Sequence, residues 1–135
     1  LAAGLVLTAC APGGGRAAAS PSDEPIPVQV TLADFAIASS HTAFVPLRRY
    51  RFIVRNDGSL GHELLVVPPV KPGLMTPEAM RVLALGVIEA RNLPPGGSHV
   101  LDLAFDKAYP AGTLELACHI LGHYEAGQRL PIVVR

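Results

Sequence analysis

Eleven residues near the C-terminus, Cys118-His119-Ile120-Leu121-Gly122-His123-Tyr124-Glu125-Ala126-Gly127-Gln128, constrain this chain more than any other stretch. They read C-x4-H-x4-Q and lie between two strand-like runs, Leu114-Glu115-Leu116 before them and Leu130 to Arg135 after. A loop in that position turns a thiol, an imidazole and a carboxamide towards one point, and Gly122 and Gly127 permit the sharp turns this requires. A third strong donor must come from elsewhere in the chain. His62 stands just after the turn Asn56-Asp57-Gly58-Ser59, at the head of the apolar run Leu64 to Val67, where such a donor is available. Two imidazoles and one thiolate in a trigonal plane, with a weaker axial donor such as Gln128, make the ligand set that holds copper in electron-transfer sites.

The remaining pattern says what surrounds that loop. Val28, Val30 and Leu32, followed by Phe35 and Ile37, alternate as one half-buried strand bent near Asp34. Tyr50 to Arg55 is a second strand, and Leu64 to Val67, ending at Pro68-Pro69, is a buried third. Thr76-Pro77-Glu78 combines a capping hydroxyl, a proline at the first helical position and an acid in the first turn, so a short helix follows. Its Met80, Leu83, Ala84 and Val87 fall on one face. The turn Asn92 to Gly97 leads into a strand carrying Val100, Leu101, Leu103 and Phe105, and Asp106 to Gly112 reads as a loop. Short strands punctuated by 13 Gly and 13 Pro in 135 residues, with one helical insertion and no internal repeat, predict an all-β, two-sheet sandwich and a single core rather than a parallel α/β fold.

Charge excludes one class of partner. Eleven basic residues balance eleven acidic ones, so there is no basic excess to hold nucleic acid. The two cysteines sit in such different contexts that a disulfide between Cys10 and Cys118 is not expected. Residues 1–10 (LAAGLVLTAC) are an uncharged apolar run, too short to span a bilayer and of the length of a signal core, with small residues before Cys10. The run resembles a bacterial lipobox truncated at its start. That resemblance implies a lipid anchor on Cys10 and an extracytoplasmic domain held at a membrane. Residues 11–27, rich in Ala, Gly, Pro and Ser, then read as a flexible tether, with the folded domain over 28–135.

From Val28 onward the chain resembles a cupredoxin, and Leu116 to Gln128 is similar to the ligand loop of small bacterial plastocyanin- and azurin-like domains, with Gln128 where that pattern has methionine. An axial glutamine at the same spacing is familiar from stellacyanins, although the disulfide usual there has no counterpart here. The resemblance implies a Greek-key β-sandwich of about eight strands, one copper ion cycling between Cu(I) and Cu(II), and ligand roles for His62, Cys118, His123 and Gln128. Gly61 is a candidate to bring its carbonyl near the metal. Glu63 and His119, each following a ligand, are expected to hydrogen-bond to one another and tie the two ligand segments together. Met75 and Met80 are read as packing around the helix, and His41 and His99 as solvated. Ala117 before Cys118 removes half of the His-Cys-His relay of multicopper oxidases, so no enzyme is expected. The function that follows is a monomeric carrier of single electrons, docking transiently with redox partners near His123. The rivals are a copper-binding or delivery protein, and an accessory to a respiratory or nitrogen-oxide enzyme.

Overall fold

A computed structural model describes residues 23–135; Cys10 and the leader, with most of the tether, lie outside the described residues. Among these, strands β1 (Ile26–Ala33), β2 (Ala36–Ser39), β3 (Ala43–Phe44), β4 (Arg49–Asn56) and β5 (Leu64–Val67) precede the helix α1 (Pro77–Leu83). After it come β6 (Gly86–Ile88), a 3-10 turn (Ala90–Asn92), β7 (Ser98–Ala104), β8 (Tyr109–Ala117) and β9 (Arg129–Val134). They form two sheets, ordered β2-β1-β4-β7 and β3-β9-β8-β5-β6. This is the predicted two-sheet sandwich with one short helix.

The alternation that predicts the strands also builds the core. Val28, Val30 and Leu32 of β1 and Tyr50, Phe52 and Val54 of β4 are buried, while Gln29, Arg51 and Arg55 between them face outward. β1 and β4 run parallel from Ile26↔Tyr50 to Leu32↔Asn56. β5, buried at all four positions, lies between β8 and β6. Phe44, Tyr50, Phe52 and Phe105 cluster with ring centroids 4.9–6.1 Å apart. They close the end of the sandwich where Tyr109 pairs with Val134, opposite the Cys118 loop.

Four local readings change. The stretch around Asp34 is a tight antiparallel hairpin rather than one bent strand: Ala33 pairs with Ala36, and Phe35 takes a left-handed φ of 65°. β1 starts at Ile26, two residues before the expected boundary. Pro27 fits there because β2 reaches back only to Val30, which leaves β1 an edge strand at that point. α1 opens as read, with the Thr76 hydroxyl accepting from the Ala79 N–H at 3.2 Å, but it stops at Leu83. Val87 belongs to β6, and Met80 is the only side chain that the helix buries. Finally, β8 begins at Tyr109 inside the expected loop, with a register irregularity before Leu114.

Candidate metal centre

Strand register explains why residues ten apart meet. β8 and β9 pair up to Ala117↔Arg129, and the ladder continues one step through the Cys118 N–H, which donates to the Gln128 carbonyl at 3.1 Å. Cys118 and Gln128 are thus a cross-strand pair at the mouth of a hairpin. The loop between them is closed by bonds from the His123 N–H to the Ile120 carbonyl (2.9 Å) and from the Gln128 N–H to the His123 carbonyl (3.0 Å), with Gly122 and Gly127 at positive φ. On the other side β5 pairs with β8 from Leu65↔Ala117, which carries Glu63 opposite His119 and sets His62 beside the loop.

The side chains converge. His62, Cys118 and His123 each offer an atom within 4.8 Å of the others. His62, Cys118 and Gln128 are fully buried and His123 is 9% exposed. His123 Nδ1 lies 3.2 Å from His62 Nδ1, 3.6 Å from Cys118 Sγ and 3.1 Å from Gln128 Oε1. The partners on the far side of these groups decide which atoms face inward. Gln128 Nε2 donates to the Ala33 carbonyl at 2.8 Å, so it is the amide oxygen that faces His123. His62 Nε2 stands 3.1 Å from Asp34 Oδ1; a carboxylate only accepts, so Nε2 carries the ring proton and Nδ1 presents a lone pair.

Asp34 itself is tightly held. Its oxygens accept from the Ser59 hydroxyl at 2.6 Å, the Ser59 N–H at 3.0 and 3.1 Å and the Leu60 N–H at 3.2 Å. These bonds, the Ser59 hydroxyl first, pull its carboxyl down to about 2 against the opposing effect of desolvation. Nothing in the sequence around Asp34 signals this contact; the residue reads there only as an interruption. Burial pushes the Cys118 thiol up, with the Glu63 charge adding to the effect, and the main-chain N–H groups of Glu63 and Ile120 at its sulfur offset only part of that rise.

Glu63 and His119 are joined as expected, through the His119 main chain rather than its imidazole. Glu63 Oε1 accepts from the His119 main-chain N–H at 3.2 Å, and its other oxygen takes Arg81 Nη2 at 3.1 Å. The His119 ring instead stacks on Tyr124, with centroids 4.4 Å apart, and leaves Nε2 buried without a partner. The main-chain contact wins because ladder register already aims that N–H at Glu63. Met75 and Met80 line, with His119 and Tyr124, a cavity of about 210 Å³ beside the loop; Met80 is buried and Met75 is 40% exposed. Gly61 has open space around its α-carbon. His41 bonds Ser40 at the surface, and His99 is exposed on β7.

No family model and no curated protein sequence matches the chain. Solved structures do. Reduced auracyanin from the photosynthetic bacterium Roseiflexus castenholzii superposes with a TM-score of 0.59 at 15% identity, covering 83% of this chain and 98% of that one. Auracyanin A, a blue copper protein from the green thermophilic photosynthetic bacterium Chloroflexus aurantiacus, gives 0.57 at 16% identity, covering 83% and 100%. The fold is that of the cupredoxins. A multi-copper oxidase from Pediococcus acidilactici also matches, at TM-score 0.51 and 14% identity, with 86% of this chain covering 27% of that one. At such identities the likeness concerns the fold, and the donor set must be judged on its own chemistry.

It fits a metal. His62 Nδ1, Gln128 Oε1 and the Cys118 sulfur all turn lone pairs towards His123 Nδ1, with at most two protons, one on His123 Nδ1 and one on sulfur, to separate them. A proton on His123 Nδ1 can serve only one of these three contacts, at 3.1–3.6 Å, whereas a single cation among the four atoms engages every lone pair at once. The spacings are also those of donors sharing one ion, since imidazole and thiolate bind at about 2.0 and 2.3 Å. The His62/Cys118/His123 cluster therefore fits a type 1 copper site on this cupredoxin fold.

Proposed function

We propose that this protein is a mononuclear blue copper protein that carries single electrons, with His62, Cys118 and His123 as the strong ligands and Gln128 Oε1 as the axial one. Bound copper would supply a one-electron Cu(I)/Cu(II) couple and no further chemistry. Burial is the observation that carries the reading. Cys118, His62 and Gln128 have no exposed surface, and His123 has 9%. Electrons can enter through the edge of a single imidazole, whereas copper delivery requires a partner's ligands to reach the ion and displace these. The closed site therefore favours electron transfer over delivery.

The chain's own residues do the rest. Two main-chain N–H groups aim at the Cys118 sulfur, and the His62 and Gln128 side chains are each anchored from behind, so the donors would be held while the charge at the centre changes. Phe35, 42% exposed, stands edge-on to the His123 ring with centroids 5.4 Å apart, and Leu121 is 93% exposed on the same loop. These apolar groups around His123 suit transient docking of a redox partner. The same proposal places the domain outside the cytoplasm, tethered by lipid on Cys10 and monomeric.

The test adds Cu(II) to the soluble domain and records visible absorption and EPR. The expected result is an intense thiolate-to-copper band with narrow hyperfine splitting, lost in Cys118→Ser. A domain that shows no band with Cu(II) yet binds Cu(I) tightly would refute the carrier role in favour of copper delivery.

A further inference from the structure

One carboxylate next to the centre is not explained by ligation. Asp34 sits on the turn between β1 and β2, in the sheet that does not carry the ligands, and reaches across to His62 Nε2 at 3.1 Å. Its position is over-determined: Ser59 and Leu60 fix both oxygens from one side. Gly58 makes room from the other. A Cβ there would stand 2.3 Å from Asp34 Oδ1 and 2.8 Å from His62 Nε2, so the pair forms only over a residue without a side chain. The imidazole lies between the carboxylate on Nε2 and the donor cluster on Nδ1.

We propose that Asp34 is a positioning residue that tunes the centre: its fixed negative charge, relayed through the His62 ring, favours Cu(II) over Cu(I) and lowers the reduction potential. Two effects act in the same direction. A carboxylate accepting the Nε2 proton makes the imidazole a stronger donor at Nδ1, which the more highly charged ion exploits more. Direct attraction also scales with the charge of the ion, and it acts through the fully buried His62 ring, although the Asp34 side chain itself is 32% exposed to solvent. Asp34 equally locks the ring in the tautomer that leaves Nδ1 free.

The inference rests on the copper reading, and the experiment separates the two. Wild type, Asp34→Asn and Asp102→Asn are loaded with copper and titrated redox-potentiometrically while the visible band and EPR are followed. Asp102 pairs with Arg51 at 2.7 Å on the exposed face of the β4–β7 ladder, so its replacement removes the same charge away from the site. The expected result is a band in all three proteins and, in Asp34→Asn alone, a change of about tenfold in favour of Cu(I), which for one electron is a rise of about 59 mV. Equal potentials in wild type and Asp34→Asn, or an equal rise in Asp102→Asn, overturn the proposal. A wild type without the thiolate band overturns the copper reading and the proposal with it. Should Asp34→Asn fail to fold, wild type alone decides. In the diamagnetic Cu(I) protein a slowly exchanging, downfield Nε2 proton on His62 is expected in 15N–1H correlation spectra. A His62 ring without that proton refutes the relay.

Discussion

Asn56 offers the sharpest test of how the fold holds the His62 segment. It ends β4, is fully buried, and its side chain makes three hydrogen bonds: Nδ2 donates to the carbonyls of Leu60 (2.7 Å) and Leu93 (2.9 Å), and Oδ1 accepts from the Gly58 N–H (2.9 Å). The Leu93 carbonyl also accepts the His62 N–H at 3.2 Å, so one amide fastens the turn, the end of the 3-10 segment and His62 together. Asn56→Ala deletes all three bonds at a net cost of about 1 kcal/mol each, so we expect a loss of about 3 kcal/mol. With an unfolding entropy near 2.1 cal/mol/K per residue, a domain of this size should then melt about 12 °C lower. Urea and thermal unfolding of the metal-free protein, followed by circular dichroism, read this directly. A loss below about 1 kcal/mol would mean that water replaces the amide without penalty and that the hub does not hold the segment.

Two further outcomes follow from buried polar groups. Gln128→Met should raise the reduction potential, because a thioether is a softer axial donor than an amide oxygen. It should also cost about 1–3 kcal/mol in urea unfolding, because the Ala33 carbonyl loses its donor; an unchanged potential would show that Gln128 only braces the loop. Burial pushes the Glu115 carboxyl above its ordinary range, against the Tyr124 hydroxyl and the Arg129 charge, and its Oε1 has no partner. The folded state then holds this proton more tightly than the unfolded one, so this group's contribution to stability falls as pH rises from the ordinary glutamate value through the raised one. Glu115→Gln should remove that decline, seen as a flatter dependence of unfolding free energy on pH across the mildly acidic range; parallel curves for the two proteins would contradict it.

Much of the site is legible in the sequence because its residues are tied by local rules. Cys118 and Gln128 sit at the two ends of one hairpin loop, so their spacing encodes a cross-strand contact, and His123 lies on the loop between them. His62 follows a strong turn signal and heads a strand. Thr76-Pro77 marks the helix start for equally local reasons. What stays hidden is non-local. Asp34 meets Ser59, Leu60 and His62 only because β1 and β4 pair in parallel and the β1–β2 hairpin leans towards the other sheet, and nothing in a short window around Asp34 reports either fact. β3 and β6, of two and three residues, carry too few positions to show a period, and Val87 fits a helical face as well as a strand until its pairing with Leu65 is known.

The β1–β2 turn joins these observations. His62, Cys118, His123 and Gln128 sit on segments of the five-stranded sheet, yet three successive residues at the β1–β2 turn of the other sheet each meet one of them. The Ala33 carbonyl takes the Gln128 amide, the Asp34 carboxylate takes the His62 ring, and the Phe35 ring meets His123 edge-on. The left-handed φ of Phe35 costs conformational energy, and it persists because the turn is fixed on both sides. A site braced only by its own loop could relax as the charge at its centre changes. This one is clamped across the sandwich, so a ligand can move only if the packing of two sheets moves with it, and packed cores resist such continuous deformation. Under the proposed electron transfer, small reorganisation would therefore be a property of the sandwich as a whole, and the turn between its first two strands is where the two sheets meet the site.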